Sequence, residues 1–283
     1  MDARTRVRQF LARGTADRPP FLVMATEYTA RLAQCDPAEL LADPGLFVRS
    51  YTESVAVLGL DAILIEVPAA LASGLVEVPP ALASGLTEVS PALASGGDPA
   101  ARGRAELRET LHRLRATLRD QIAIVTLLPG PLTLAASLGM PATPDSLDDL
   151  VTALISLQEY LGPAEFDALA LLERAAVAGP EIPALADAAS AFWNVARYYS
   201  LPSLLIAAQG TPQLAGVGAT AVAAWEGATA ADLLAAGATA AGQPPPSVPA
   251  PLPPGAFYLT PGEIPPDQPV DAVRSMLRQL PRA

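Results

Sequence analysis

Carboxylates stand where apolar runs stop. Glu66 closes DAILIEV (61–67), Glu173 closes DALALLE (167–173) and Glu226 closes TAVAAWE (220–226). Glu263 lies in a Pro-Gly turn after AFYLT (256–260), and Glu27 with Tyr28 follows FLVMA (21–25). Gln209 ends SLLIAAQ (203–209). Acids gathered in one place repel unless something offsets their charge. A hard cation such as Mg2+ does so through oxygen ligands. A cationic substrate is a second answer, and a raised pKa that makes one acid a general acid or base is a third. Glu263 and Glu173 are the expected catalytic residues. Gln209, Tyr28, Glu27, Glu66 and Glu226 are the expected substrate-binding set. Each has a plainer reading beside it. Glu66 opens a repeat whose copies, Glu77 and Glu88, read as solvated, Glu173 precedes Arg174 and so has a partner at hand, and Glu226 stands before a Gly turn. His112 flanks the stripe Leu107, Leu111, Leu114, Leu118, and Cys35 precedes a helix start at Asp36-Pro37. Neither reads as catalytic. The chain has no Ser nucleophile elbow, HExxH or Walker loop.

These residues need elements to bring them together. Short β-type runs alternate with helical patterns. Strands are expected at 21–25, 61–67, 122–128, 203–209, 220–226 and 256–260, and at 167–173, whose Ala/Leu content also allows a helix, with an eighth near Ser247-Val248. Helical patterns run from Asp36-Pro37 to Gly59, over 99–118, after Gly130, over 145–160 and 181–199, through AADLLAAGA, and over 269–281. Repeated β-α order implies parallel strands with right-handed crossovers. Eight such units close into a (β/α)8 barrel of about this length, with its site at the carboxyl ends of the strands. An open doubly wound sheet is the alternative, but no GxGxxG follows the first strand. The expected organisation is a single barrel domain over 1–283. Residues 66–97 form a tandem repeat of period 11, EVPAALASGLV, EVPPALASGLT, EVSPALASGG. It reads as an extended loop at the barrel mouth, either a neutral expansion or a lid.

Bulk composition narrows the partners. The chain has 283 residues, 51% of them hydrophobic, and a net charge of −11. All 18 basic residues are arginine. Such an acidic chain repels phosphate backbones, so nucleic acid is not expected as a partner. A single cysteine allows no disulfide framework and fits a reducing compartment. The start, MDARTRVRQFLARG, has no apolar core like that of a signal peptide, and the apolar region 201–225 is interrupted by Gln209, Pro212 and Gln213. No membrane association is expected, and the cytoplasm is the expected location.

Four stretches resemble the uroporphyrinogen decarboxylase superfamily, which includes porphyrin decarboxylases and zinc-dependent methyltransferases of the corrinoid type. RPPFLVM (18–24) is similar to the family's opening strand, and ADPGLFVRSYTESVAVLGLDAILI (42–65) to its second helix and strand. LLPGPLTLAASLG (127–139) resembles its Gly-x-Pro-x-Thr turn, and YLTPGEIPPDQPVDAV (258–273) its last strand, turn and helix. The resemblance implies a barrel with a pocket at its carboxyl end, and a homodimer by analogy with the porphyrin decarboxylases. The departures are as informative. Ala207 and Gln209 stand where the methyltransferases carry His-x-Cys, and Glu263 lies near their last Cys and near the decarboxylases' His. One His and one Cys in the whole chain exclude a thiolate-rich zinc site. Ala25, Thr26, Glu27 and Tyr28 replace the decarboxylases' Arg-rich stretch, and no arginine is expected at the mouth. The resulting expectation is a divergent decarboxylase or group-transfer enzyme acting on a small molecule by carboxylate chemistry, without a zinc cofactor. Its alternative is an inactive barrel that binds or scaffolds.

Overall fold

The computed structural model describes residues 1–73, 75, 99–162, 165–174, 177, 181–244 and 252–279. Eight strands form a closed barrel: β1 (Phe21–Met24), β2 (Ala62–Glu66), β3 (Ala123–Pro129), β4 (Ala168–Glu173), β5 (Ser203–Gly210), β6 (Ala221–Gly227), β7 (Ala240–Gln243) and β8 (Ala256–Glu263). Each pairs in parallel with the next, and β8 pairs in parallel with β1. The helices between them are α2 (Thr26–Leu32), α3 (Pro37–Ala42), α4 (Pro44–Leu58), α5 (Ala69–Ser73), α6 (Pro99–Leu118), α7 (Pro131–Ser137), α8 (Pro144–Leu161), α9 (Glu181–Tyr198) and α10 (Ala230–Ala235). α1 (Ala3–Arg13) precedes the barrel and α11 (Val270–Gln279) follows it. This is the (β/α)8 architecture that the alternation of elements predicts.

Strand alternation sorts the side chains into two cores. Leu22, Met24, Ala62, Leu64, Val125, Leu127, Ala170, Leu172, Leu204, Ile206, Ala223, Phe257 and Leu259 fill the barrel interior. Their neighbours in sequence, such as Ile63, Ile65, Leu169, Leu171, Leu205 and Val222, pack outward against the helices. Successive strand residues face opposite sides, so every strand here is buried on both. The amino-terminal end of the barrel is stoppered. Val7, Phe10 and Leu11 of α1 join the interior core, and Phe10 meets Phe257 edge to face with ring centroids 6.0 Å apart.

Ion pairs fasten that stopper. Arg4 Nε donates to Asp167 Oδ1 at 2.5 Å, just before β4, and Arg6 Nη1 to Asp61 Oδ1 at 2.9 Å, just before β2. Arg18 holds Asp61 through both carboxylate oxygens, at 2.6 and 2.7 Å, and Arg115 also pairs with Asp167.

Several elements differ from their sequence-based placement. The helix expected from 36 to 59 is two helices, because Asp43 takes an extended conformation and caps a second start at Pro44. β7 lies at Ala240–Gln243, not near Ser247-Val248, a pair outside the described residues. Its Ala-Gly sequence carries no β-type signal. Packing requires Gly242 there, since a Cβ would come within 2.7 Å of the Phe257 ring. α1 and α2 were not foreseen, although Val7, Phe10 and Leu11 have the helical spacing of a buried face. Most of the 66–97 repeat lies outside the described residues. No described helix is long and apolar enough to cross a membrane.

Candidate functional site

Three side chains converge over the carboxyl end of the barrel. Glu66 ends β2, Arg174 follows β4, and Trp225 stands near the end of β6. By strand alternation they continue the interior rows of Leu64, Leu172 and Ala223. Arg174 Nη2 donates to Glu66 Oε1 at 2.8 Å and to Oε2 at 2.6 Å. The Arg174 guanidinium carbon lies 5.8 Å from the Trp225 ring centroid, within cation–π reach. Both members of the ion pair are partly solvent-accessible, and the Trp225 indole N–H is shielded with no hydrogen-bond partner. A guanidinium fork and a carboxylate thus share one opening, with the shielded indole packed against the guanidinium. The expectation of a mouth without arginine is corrected: Arg174 crosses it.

The backbone of Arg174 is fixed from the outer face of β4. Glu173 is fully buried and continues the outward row of Leu169 and Leu171. Its Oε1 accepts from the Leu132 N–H at 3.0 Å, and its Oε2 accepts from the Thr133 N–H at 2.8 Å and the Thr133 hydroxyl at 2.7 Å. These are unpaired donors at the start of α7, where Gly130 offers no side-chain cap. Glu173 is therefore an N-cap supplied from another strand. The Thr133 hydroxyl also accepts from the Arg174 N–H at 2.7 Å, so one oxygen links the buried acid to the arginine's backbone. Gly130 is required: a Cβ there would overlap the Glu173 carboxylate. Burial pushes the Glu173 carboxyl up to about 7, against the lowering effect of its three donors. The Pro-Gly-Pro-Leu-Thr run of the sequence is thus the cradle of a buried acid.

The other expected residues occupy different places. Glu263 ends β8 in register with Met24, an interior residue, and the Ile264 N–H donates to the Met24 carbonyl at 3.0 Å. A bulge precedes it, where the Met24 N–H donates to Thr260 Oγ1 at 2.9 Å. The Glu263 side chain is outside the described residues. Gln209 and Glu226 are direct neighbours on β5 and β6. Both are exposed and belong to the outward rows of Ala207 and Ala224. Glu27 is exposed on the first turn of α2. Tyr28 is buried in the outer core, its hydroxyl unpartnered, with the Arg31 guanidinium 5.4 Å from its ring centroid. Burial pushes its phenol up.

The structure brings Gln209 beside Glu226, but among the described side chains it does not gather Glu27, Glu66, Glu173 and Glu226 at one place. A glutamate ends each of several strands, but the pleat decides which side of the wall it faces. Arg174, Trp225 and Thr133 were missed because β4 is apolar on both faces, which hides the parity that separates Glu173 from Arg174. Among the described residues no three of His, Cys, Asp and Glu lie together as a metal site. The one His is exposed and bonded to Glu165, and the one Cys sits near the Ala30 carbonyl, so the two do not combine in a His/Cys zinc site.

No family model and no curated protein matches the chain. Among solved structures it is similar to a methyltransferase from Methanosarcina mazei. The TM-score is 0.70 with 16% sequence identity, covering 99% of this chain and 98% of that one. At that identity the likeness establishes the shared barrel.

Proposed function

We propose that this barrel is a small-molecule enzyme of the group-transfer or decarboxylase type, acting at its carboxyl-terminal mouth on a substrate that bears a carboxylate. The observation that carries this reading is the Arg174 fork, paired with Glu66 and laid against Trp225 above a closed interior. A substrate carboxylate exchanges with Glu66 for the guanidinium, which the Trp225 ring supports from one face. Glu66 is then released to accept or deliver a proton. Glu263, level with the interior residue Met24, is the second proposed acid or base. Glu173 acts as a positioning residue through Thr133 and does not touch the substrate. Gln209, Glu226, Glu27 and Tyr28 lie around the reacting set and not within it. The structural neighbour is a methyltransferase, which favours group transfer. The resemblance to the decarboxylase superfamily keeps carbon dioxide release in view. A cytoplasmic setting and a homodimer belong to the same reading.

The test is a turnover screen of small carboxylates, alone and with methyl donors, read by mass spectrometry for carbon dioxide and transferred methyl groups. Turnover is expected in the natural protein. It should fall by about a hundredfold or more in Glu263→Gln and Arg174→Ala, with melting temperatures little changed. Carboxylate binding at the mouth without turnover would make the barrel a binding protein. No binding at all would remove the reading.

A further inference from the structure

We propose a second site at the opposite end of the barrel: a cleft that binds a compact polyanion carrying several phosphate or carboxylate groups. The cleft is a solvent-open concavity of about 680 Å3 between α1 and the end of α9. Arg4, Arg8, Arg13 and Arg197 line it, against one lining carboxylate, Asp120, and Leu201 contributes apolar wall. In a chain of net charge −11, this concentration of positive charge needs an explanation.

The four arginines divide into two kinds. Arg4 is committed to structure, bonded to Asp120 at 2.8 Å and to buried Asp167 at 2.5 Å. Arg8 donates to the Ser200 carbonyl at 3.3 Å and stands 4.0 Å from Asp167. Arg13 and Arg197 form no ion pair among the described residues, and Arg197 bonds only to the neighbouring Asn194 side chain. Arg13 is well placed for the α1 macrodipole, which accounts for its charge at a helix carboxyl end. Arg197 stands likewise in the last turn of α9, but neither dipole explains why it faces the same concavity as Arg8 and Arg13 of α1. Like charges in a concave surface repel when it is empty and focus their field on an incoming anion. Guanidinium forks suit phosphate and carboxylate oxygens equally. One polyanion relieves the repulsion and cross-links α1 to α9, so ligand binding here stabilises the stopper of the barrel.

Calorimetric titration with inorganic pyrophosphate and with citrate, free of divalent ions and at constant ionic strength, tests this. At least one should bind and raise the melting temperature, and their relative affinities show whether phosphate or carboxylate is preferred. The double variant Arg13→Ala/Arg197→Ala should weaken binding by about tenfold or more, while keeping the Arg4 and Arg6 ion pairs that hold α1. Arg113→Ala, in an exposed ion pair on α6 away from both sites, should bind like the natural protein. Three results would each overturn the proposal: binding of neither anion, equal pyrophosphate binding by the double variant, or loss of binding in Arg113→Ala.

Discussion

The two ends of β4 each bury a carboxylate completely, and they solve the same problem in opposite ways. Asp167, just before the strand, is surrounded by cations: Arg4 and Arg115 bond to it, Arg8 stands nearby, and the Ile124 N–H donates to it at 2.9 Å. Glu173, at the strand's end, has three neutral donors and no cation. Charge neutralises charge at the amino-terminal end, where α1 must be held down. At the carboxyl end the helix start alone receives the acid, and burial pushes its carboxyl up to about 7. The one nearby guanidinium, Arg174, turns to the other side of the wall and faces the mouth. The difference shows an end built for cohesion and an end that keeps a cation available.

Removing the acid at each end separates the two designs. Asp167→Ala should have the largest effect, about 3–5 kcal/mol in a denaturant titration, because it strands guanidinium groups in a buried network. Glu173→Ala should cost about 2 kcal/mol, since it leaves the Leu132 and Thr133 donors without a partner but no buried charge. Equal losses at the two ends would erase the distinction.

The pH dependence sharpens it. Glu173 has a folded pKa raised from 4.5 to about 7. Between those values the unfolded chain has lost a proton that the folded chain retains, so stability falls as pH rises. The penalty is absent below about 4.5, complete above about 7, and amounts to roughly 3 kcal/mol. Glu173→Gln should therefore show a flatter stability profile than the natural protein across that window. A parallel profile would show that the three donors hold the acid ionised throughout.

Smaller effects follow at the cradle and the mouth. Gly130→Ala should cost about 1–3 kcal/mol by pressing a methyl group into the carboxylate, and the loss should shrink when combined with Glu173→Ala. Glu66→Gln should change stability by less than about 1 kcal/mol, because its ion pair is partly solvated. The same substitution should strengthen carboxylate binding at the mouth, since it removes a competitor for Arg174. Weaker binding would mean that Glu66 orients Arg174 and does not compete for it.

The barrel was legible because its evidence is periodic. Apolar runs such as IAIVTLL alternate with helical stretches, and errors at single elements do not disturb the count. Even so, β7 was misplaced, because an Ala-Ala-Gly-Gln strand is defined by what packs on it, above all Phe257, and not by its own propensity. The site was less legible for a geometric reason. Strand ends mark which residues lie near the mouth, but the facing of each depends on a pleat that an all-apolar strand conceals. Glu173 and Arg174 are adjacent in sequence, yet one is inside the wall of the fold and the other over its opening. Their link through Thr133, some 40 residues earlier, is tertiary. The Gly-Pro-Leu-Thr turn at 130–133 was visible as a motif, but its partner was not.

The most direct test of the central claim, that Glu173 and Thr133 hold Arg174 ready for an anion, is fluorine NMR of protein carrying 5-fluorotryptophan. The chain has two tryptophans: Trp225 beneath the arginine and Trp193, buried and bonded to the Val217 carbonyl, as an internal reference. Titration with benzoate should shift the Trp225 line alone, with affinity reduced about tenfold in Thr133→Val and lost in Arg174→Ala. Identical curves in all three proteins, or a Trp225 line that never moves, would contradict the account.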